Sequence, residues 1–219
     1  MSYTTSFIIT IYIKKKVINP KIYPKQMSNN QGLNVKFKKQ YASKKLPIFS
    51  TILENHKYIN PILMELVKEH RDNYPTSPLV NSEDYEQNID HVKSWHSVLQ
   101  TNLINPNFNW FIELVNTLVE DISKTYFTNI YFEYFCQDFW IAQYEKDNHT
   151  IDHNHFPALF SAVYYVDVEE GCAPLIFEKE LPIIPQNGLL LIFPGILNHI
   201  VPQTDTKRTL FAMNFFMKK

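Results

Sequence analysis

The chain has 219 residues, and 21 Lys and Arg stand against 22 Asp and Glu, for a formal net charge of -1. That length suits one domain with a core of its own, and balanced charge offers no basic face for nucleic acid or an anionic membrane. Aromatic residues at 15% and charged residues at 20% make a globular composition, while two cysteines, Cys136 and Cys172, exclude a disulfide scaffold and point to a reducing, cytoplasmic setting.

The apolar run Phe7–Ile13 is too short to span a membrane. It has no basic flank before it and no small-residue cleavage site after it, so no signal peptide is expected. Lys14, Lys15, Lys16 and then Asn-, Pro- and Lys-rich sequence follow to about Lys45. Residues 1–45 are expected to form a poorly organised tail that holds at most one strand and adds little to the core. Met27 is an alternative natural start.

Three helical patterns come next. Asn60-Pro61 opens the first, because proline suits the first helical position; Ile62, Leu63, Leu66 and Val67 mark one face, and the helix ends before Tyr74-Pro75. A weaker pattern runs from Ile89 to Leu103 through Val92, Trp95, Val98 and Leu99. The third is capped by Asn107, and Phe108, Phe111, Ile112, Val115, Leu118, Val119 and Ile122 recur at helical spacing to about Phe127. From Asn129 the period changes. Ile130–Tyr144 is dense in aromatic residues, which favour strands. Short strands are then predicted at Leu159–Val168, Pro174–Glu178, Leu189–Phe193, His199–Pro202 and Arg208–Met217, with Gly171 and Gly188 at turns. Close strands with no helix between them indicate an antiparallel sandwich or barrel. The expected class is α+β: helices over 46–128, then a β-barrel over 129–219.

Histidine is the informative residue type. In Asp152-His153-Asn154-His155, residues 153 and 155 are two apart, which on an extended strand puts both imidazoles on one face about 6–7 Å apart at the backbone. Two neutral imidazoles on one face are the beginning of a transition-metal site. His199 follows a turn glycine, an apolar strand and a Phe193-Pro194 corner, a rigid place from which to hold a ligand. Nine residues on comes Arg208, one of only two arginines in the chain, whose planar fork binds a carboxylate bidentately as lysine cannot. Asn214 shares the strand face of Arg208 and is a further pocket candidate.

Taken together, these motifs resemble the iron(II)- and 2-oxoglutarate-dependent oxygenases, within them the prolyl-hydroxylase-like group, and most closely its bacterial and viral branch. The resemblance runs from about Phe139 to the C-terminus. It rests on Tyr144, then His153-Asn154-His155, then Val163-Tyr164-Tyr165-Val166, a turn at Gly171, the strand from Gly188 into Phe193-Pro194-Gly195, then His199 and Arg208 in that order. It implies a double-stranded β-helix, a jelly-roll or cupin-like barrel with supporting N-terminal helices, making residues 46–219 one oxygenase domain. It implies iron(II) held by His153, His155 and His199. It also implies 2-oxoglutarate, with its distal carboxylate on Arg208 and hydrogen-bonded by Tyr144 and Tyr165. Oxygen is then a cosubstrate and ascorbate a candidate accessory reductant. The substrate is a small molecule or a protein side chain, and neither nucleic acid nor a membrane is a partner.

One departure stands out. The family's usual carboxylate is His155 here. Asp152 is then either a residue that orients an imidazole from behind or the ligand itself if the strand bulges, and His149 is a spare ligand candidate. A catalytically idle cupin-like binding module and a three-histidine zinc hydrolase are the alternatives that this departure keeps open.

Overall fold

The computed structural model describes residues 5–11, 33–41, 46–76, 92–126 and 132–218. Among them, thirteen strands form two antiparallel sheets. Strands β1 (Thr5–Ile11), β2 (Leu33–Tyr41), β3 (Pro47–Ile52), β5 (Trp95–His96), β6 (Tyr134–Tyr144), β8 (Phe160–Val168), β11 (Leu189–Pro194) and β13 (Arg208–Met217) make the larger sheet, in the order β1-β2-β3-β11-β8-β13-β6-β5. Strands β4 (Val92–Lys93), β7 (His149–His153), β9 (Leu175–Phe177), β10 (Leu181–Ile183) and β12 (His199–Val201) make the smaller one, in the order β10-β9-β12-β7-β4. Helices α1 (His56–Asn73), α2 (Thr101–Ile104) and α3 (Asn109–Tyr126) accompany them.

The large sheet is covered on both faces, so its central strands read as nearly continuous apolar runs. Period two still sorts their side chains. Tyr164 and Val166 of β8, Leu190 and Ile192 of β11 and Phe211 and Met213 of β13 face the helices, against Ile59 and Leu63 of α1 and Phe111, Val115 and Leu118 of α3. Val163, Tyr165, Leu191, Leu210 and Ala212 face the other way, towards Leu175, Phe177 and Val201 of the small sheet. That second layer holds the site described below.

The three helical patterns fare differently. The third is α3, at whose entry the Asn105 side chain, not that of Asn107, accepts a backbone N–H. The first begins earlier than predicted, at His56, so Pro61 lies inside α1 rather than opening it. The gain is visible at Asn60. Its buried amide donates to the Val166 carbonyl (2.6 Å) and its oxygen accepts from the Tyr164 hydroxyl (2.6 Å), tying helix to sheet. The pattern over Ile89–Leu103 is not one helix. Its described part holds β4 paired with β7, β5 paired with β6, and the single turn α2. The segment feeds a short strand to each sheet in turn, and apolar residues three apart there mimic a helical stripe.

Two corrections concern the N-terminal half. Residues 1–45 hold two strands, and β2 pairs with β3 at the sheet's core side. Val35 and Phe37 are buried in the main core, with Lys36 and Lys38 exposed between them. β3 lies within the half expected to be helical and pairs with β11. The predicted turn glycines do sit at positive φ, and at Gly188 (φ +81°) a Cβ would also meet the His56 side chain at 2.4 Å. Among the described residues, no helix is long and apolar enough to cross a membrane.

Candidate active site

Antiparallel pairing sets His153 of β7 directly opposite His199 of β12, with Phe177 of β9 on the other side of His199. His155 is not on the strand as expected. β7 ends at His153, and the chain turns through Asn154 into a loop whose His155 N–H donates to the Gly195 carbonyl (2.7 Å). Gly195 N–H donates in turn to Leu159 (3.1 Å), and the Asn154 amide bonds Asn198 (2.8 Å). The loop 154–159 and the turn 195–198 are thus laced together. At Gly195 a Cβ would strike the Ala158 carbonyl at 2.3 Å, so glycine permits that approach.

The outcome is convergence. The ring centroids of His153 and His199 are 4.3 Å apart, those of His155 and His199 5.0 Å, and those of His153 and His155 5.1 Å. One nitrogen from each of the three lies within 4.8 Å of the others. His153 Nδ1 is 2.9 Å from the Ile151 carbonyl and His199 Nδ1 3.1 Å from that of Leu197. A carbonyl only accepts, so each Nδ1 carries the proton and each Nε2 keeps its lone pair. Burial drives all three imidazoles towards the neutral form. His155 falls to about 3 by desolvation and by repulsion from His153; His199 goes well below its usual value by burial and by both neighbours. His153 is lowered by burial, against the opposing pull of the Ile151 carbonyl and Asp152. Three neutral imidazoles clustered within 4.8 Å, with the Nε2 lone pairs of His153 and His199 available, are the donor set a divalent transition metal takes.

Asp152 takes no part in this cluster; its carboxylate pairs with Lys179 at 3.1 Å. His149 lies on β7 opposite Lys93 and does not line the cavity around the triad. That cavity, of about 80 Å³, is walled by the three histidines, Trp140, Tyr144, Thr150, Tyr165, Leu210 and Ala212 among others.

Arg208 lies behind this wall rather than on it. Its residue is 2% exposed, and its guanidinium sits 4.3 Å from the Tyr144 ring and 5.9 Å from the Tyr165 ring. Nη1 donates to the Ala173 carbonyl (2.8 Å), whereas buried Nε and Nη2 have no partner among the described residues. Tyr144 is committed elsewhere: its hydroxyl bonds Thr150 Oγ1 at 2.5 Å. Tyr165 is 1% exposed, and burial raises its phenol to about 12 although Arg208 pulls it back. Asn214 is not in the cavity. It shares the face of Arg208, but six residues of strand carry it past the histidines, where its amide bonds Ser161 and Asp138.

Sequence reasoning missed two wall residues. Thr150 was hidden by its ordinariness. His96 lines the cavity from β5, bonded to Ser94 Oγ (2.9 Å) and pushed down to about 4 by burial and by His153. It lies in a two-residue strand inside a stretch that resembled a helix.

No family model matches the sequence, and no curated protein does. Solved structures do. A prolyl-4-hydroxylase from Pseudomonas putida matches with a TM-score of 0.54 and 12% identity, over 75% of this chain and 88% of that one. An oxidoreductase of the 2OG-Fe(II) oxygenase family from Burkholderia pseudomallei matches with a TM-score of 0.38 and 17% identity, over 47% of this chain and 55% of that one. A viral collagen prolyl hydroxylase from Paramecium Bursaria Chlorella virus-1, in its 2OG complex, gives 0.46 and 15%, over 63% and 86%. The Pseudomonas protein is of the kind the sequence motifs resemble, and the likeness to it establishes a shared fold.

Proposed function

We propose that this chain is an Fe(II)- and 2-oxoglutarate-dependent dioxygenase on a double-stranded β-helix, with His153, His155 and His199 as metal ligands and Arg208 as the cosubstrate's anchor. The observation that carries the reading is the buried guanidinium. A cation this deep costs several kcal/mol unless an anion meets it. Arg208 has two unpaired donors and no carboxylate within ion-pair distance among the described residues. A dicarboxylate reaching from the imidazole cluster to Arg208 resolves both features at once.

When bound, iron and 2-oxoglutarate, with O2 as oxidant, would supply oxidative decarboxylation to succinate and CO2 coupled to hydroxylation of a C–H bond, one oxygen atom going to succinate and the other to the product. The chain's own residues bind, orient and exclude water. The imidazoles hold the metal through Nε2 of His153 and His199. Arg208 fixes the distal carboxylate, and the aromatic rings of Tyr144 and Tyr165 hold Arg208 in place. Leu210, Ala212 and Val163 keep the cavity wall apolar. A zinc hydrolase on the same imidazoles needs a general base, and no carboxylate lines the cavity among the described residues.

Replacing the usual carboxylate with His155 leaves the metal one unit more positive, which favours a dianionic cosubstrate. The ligand assignment is tested by metal titration. His155→Ala is expected to lose most of its Fe(II) affinity, His155→Asp to regain it, and Asp152→Ala to match wild type because Asp152 serves Lys179. Full affinity in His155→Ala together with loss in Asp152→Ala would make Asp152 the ligand.

A further inference from the structure

The cavity face of the large sheet is built in cross-strand rows. Arg208 pairs with Tyr144, Leu210 with Ala142 and Tyr165, Ala212 with Trp140 and Val163, and Asn214 with Asp138 and Ser161. Along β13 exposure rises from Arg208 at 2% to Asn214 at 8%, and Asp138 beside Asn214 is half-buried, while Ser161 on β8 stays buried. Arg208 is therefore the closed end, and the last row stands at the mouth.

That last row is polar, unlike the two before it. Ser161 Oγ donates to Asn214 Oδ1 (2.9 Å), and Asn214 Nδ2 donates to Asp138 Oδ2 (3.1 Å). Ser161 is 1% exposed and Asn214 8%. The chain of bonds runs one way and ends on a carboxylate. Just beyond, β6 bulges at Gln137, since Asn214 faces Asp138 while Phe215 faces Cys136. Such bulges re-aim side chains beside active sites. The sheet does not need this network for stability, because apolar residues of similar shape in its place are close to neutral. No cation among the described residues pairs with Asp138. In the adjacent row stands Trp140, its ring 5.7 Å from that of His155. Asp138 and Trp140 share one face of β6, roughly 6–7 Å apart at the backbone, so a cation beside the carboxylate has an indole in the neighbouring row, a combination of charge and cation–π attraction.

We propose that Asp138, oriented by Ser161 and Asn214, is the substrate-recognition residue of this site, and that the substrate carries a positively charged ammonium or guanidinium group near the carbon presented to the metal. The proposal rests on the oxygenase reading. Asp138 takes the cation, Trp140 lies under it, and the relay keeps the carboxylate turned to the mouth.

The test uses the whole chain loaded with Mn(II) and 2-oxoglutarate, which does not turn over. Paramagnetic broadening of probe proton lines reports occupancy near the metal. n-Butylammonium and N-butylguanidinium should be broadened at about tenfold lower concentration, or less, than neutral n-butanol. Asp138→Asn should erase that difference, and Asp138→Ser does the same work if the first variant fails to fold. Ser161→Ala, which keeps the carboxylate and its bond from Asn214 but frees Asn214 from the serine that holds it, should reduce the preference without abolishing it. L-Lysine against the same side chain in a blocked tripeptide separates a free amine from a polypeptide residue, and preference for either supports the charge rule. Equal broadening by cation and alcohol in the wild type, or a preference that survives in Asp138→Asn, overturns the proposal alone. Failure to take up Mn(II) overturns the metal-centre reading and the proposal with it.

Discussion

Arg208→Met should lose 2-oxoglutarate affinity by at least about 30-fold while making the ligand-free protein more stable. The two signs have one cause. The guanidinium is buried with two donors unmet, so in the empty protein it is a cost; methionine has similar length and no charge. The lost bond to Ala173 and the contact with Tyr144 offset part of the gain, leaving about 1–3 kcal/mol of stabilisation, a rise of roughly 2–4 °C per kcal/mol for a chain this size. With cosubstrate the balance reverses. Removing one partner of a buried charge pair costs about 2–5 kcal/mol of binding. Wild type should gain about 2.7 kcal/mol at a hundred times Kd, and the variant no more than about 0.9 kcal/mol at the same concentration. Thermal melts with and without 2-oxoglutarate read both effects. Destabilisation of the ligand-free variant with affinity unchanged would make Arg208 a structural residue.

His199→Ala should abolish usable metal binding. The residue is central: its ring is 4.3 Å from that of His153 and 5.0 Å from that of His155, and it is the most buried of the three. Loss of an orienting partner alone costs 10–100-fold in metal affinity, so loss of a ligand should cost at least about 100-fold. Isothermal titration with Fe(II) under argon measures it. The same variant should be less sensitive to acid in the metal-free state. A depressed imidazole binds its proton only in the unfolded chain between its usual value near 6.5 and its folded value. As pH falls through that window the unfolded state gains, by up to about 1.4 kcal/mol per pH unit for each such group. Removing His199 removes one of them, so the variant's melting temperature should fall less steeply than wild type's between pH 6.5 and about 5. An equal slope would show that His199 is not held neutral by its surroundings.

The clustering of the histidines was more legible than the scaffold. His153, His155, His199 and Arg208 stood out because imidazole pairs and a rare arginine are chemically distinctive, and the structure brings the three histidines together within 4.8 Å. The reason given for His155 was wrong in detail. A loop held by Gly195, not the pleat of a strand, turns it inward. Asn214 shares the parity of Arg208 and stands one row beyond the residues that line the cavity, since face alone says nothing of depth along a strand. β2 was readable in principle: Val35-Lys36-Phe37-Lys38 alternates, but its lysines resembled a charged tail. β5 was not readable, because two residues carry no period. Helix α3 and strands β8, β11 and β13 were legible because their apolar periods are long and unbroken. Pro61 misled because a proline at a helix start is commoner than one in its second turn. The bonds of Asn60 to Val166 and Tyr164 show what holds the longer helix in place.

The most direct test of the central claim is succinate released from 2-oxoglutarate by the protein with Fe(II) under oxygen, beside the same protein with Zn(II). Slow succinate formation is expected without added substrate, dependent on both iron and oxygen, absent with zinc and absent in His199→Ala. A protein that binds Fe(II) and 2-oxoglutarate at this site and yet forms no succinate under oxygen would contradict it.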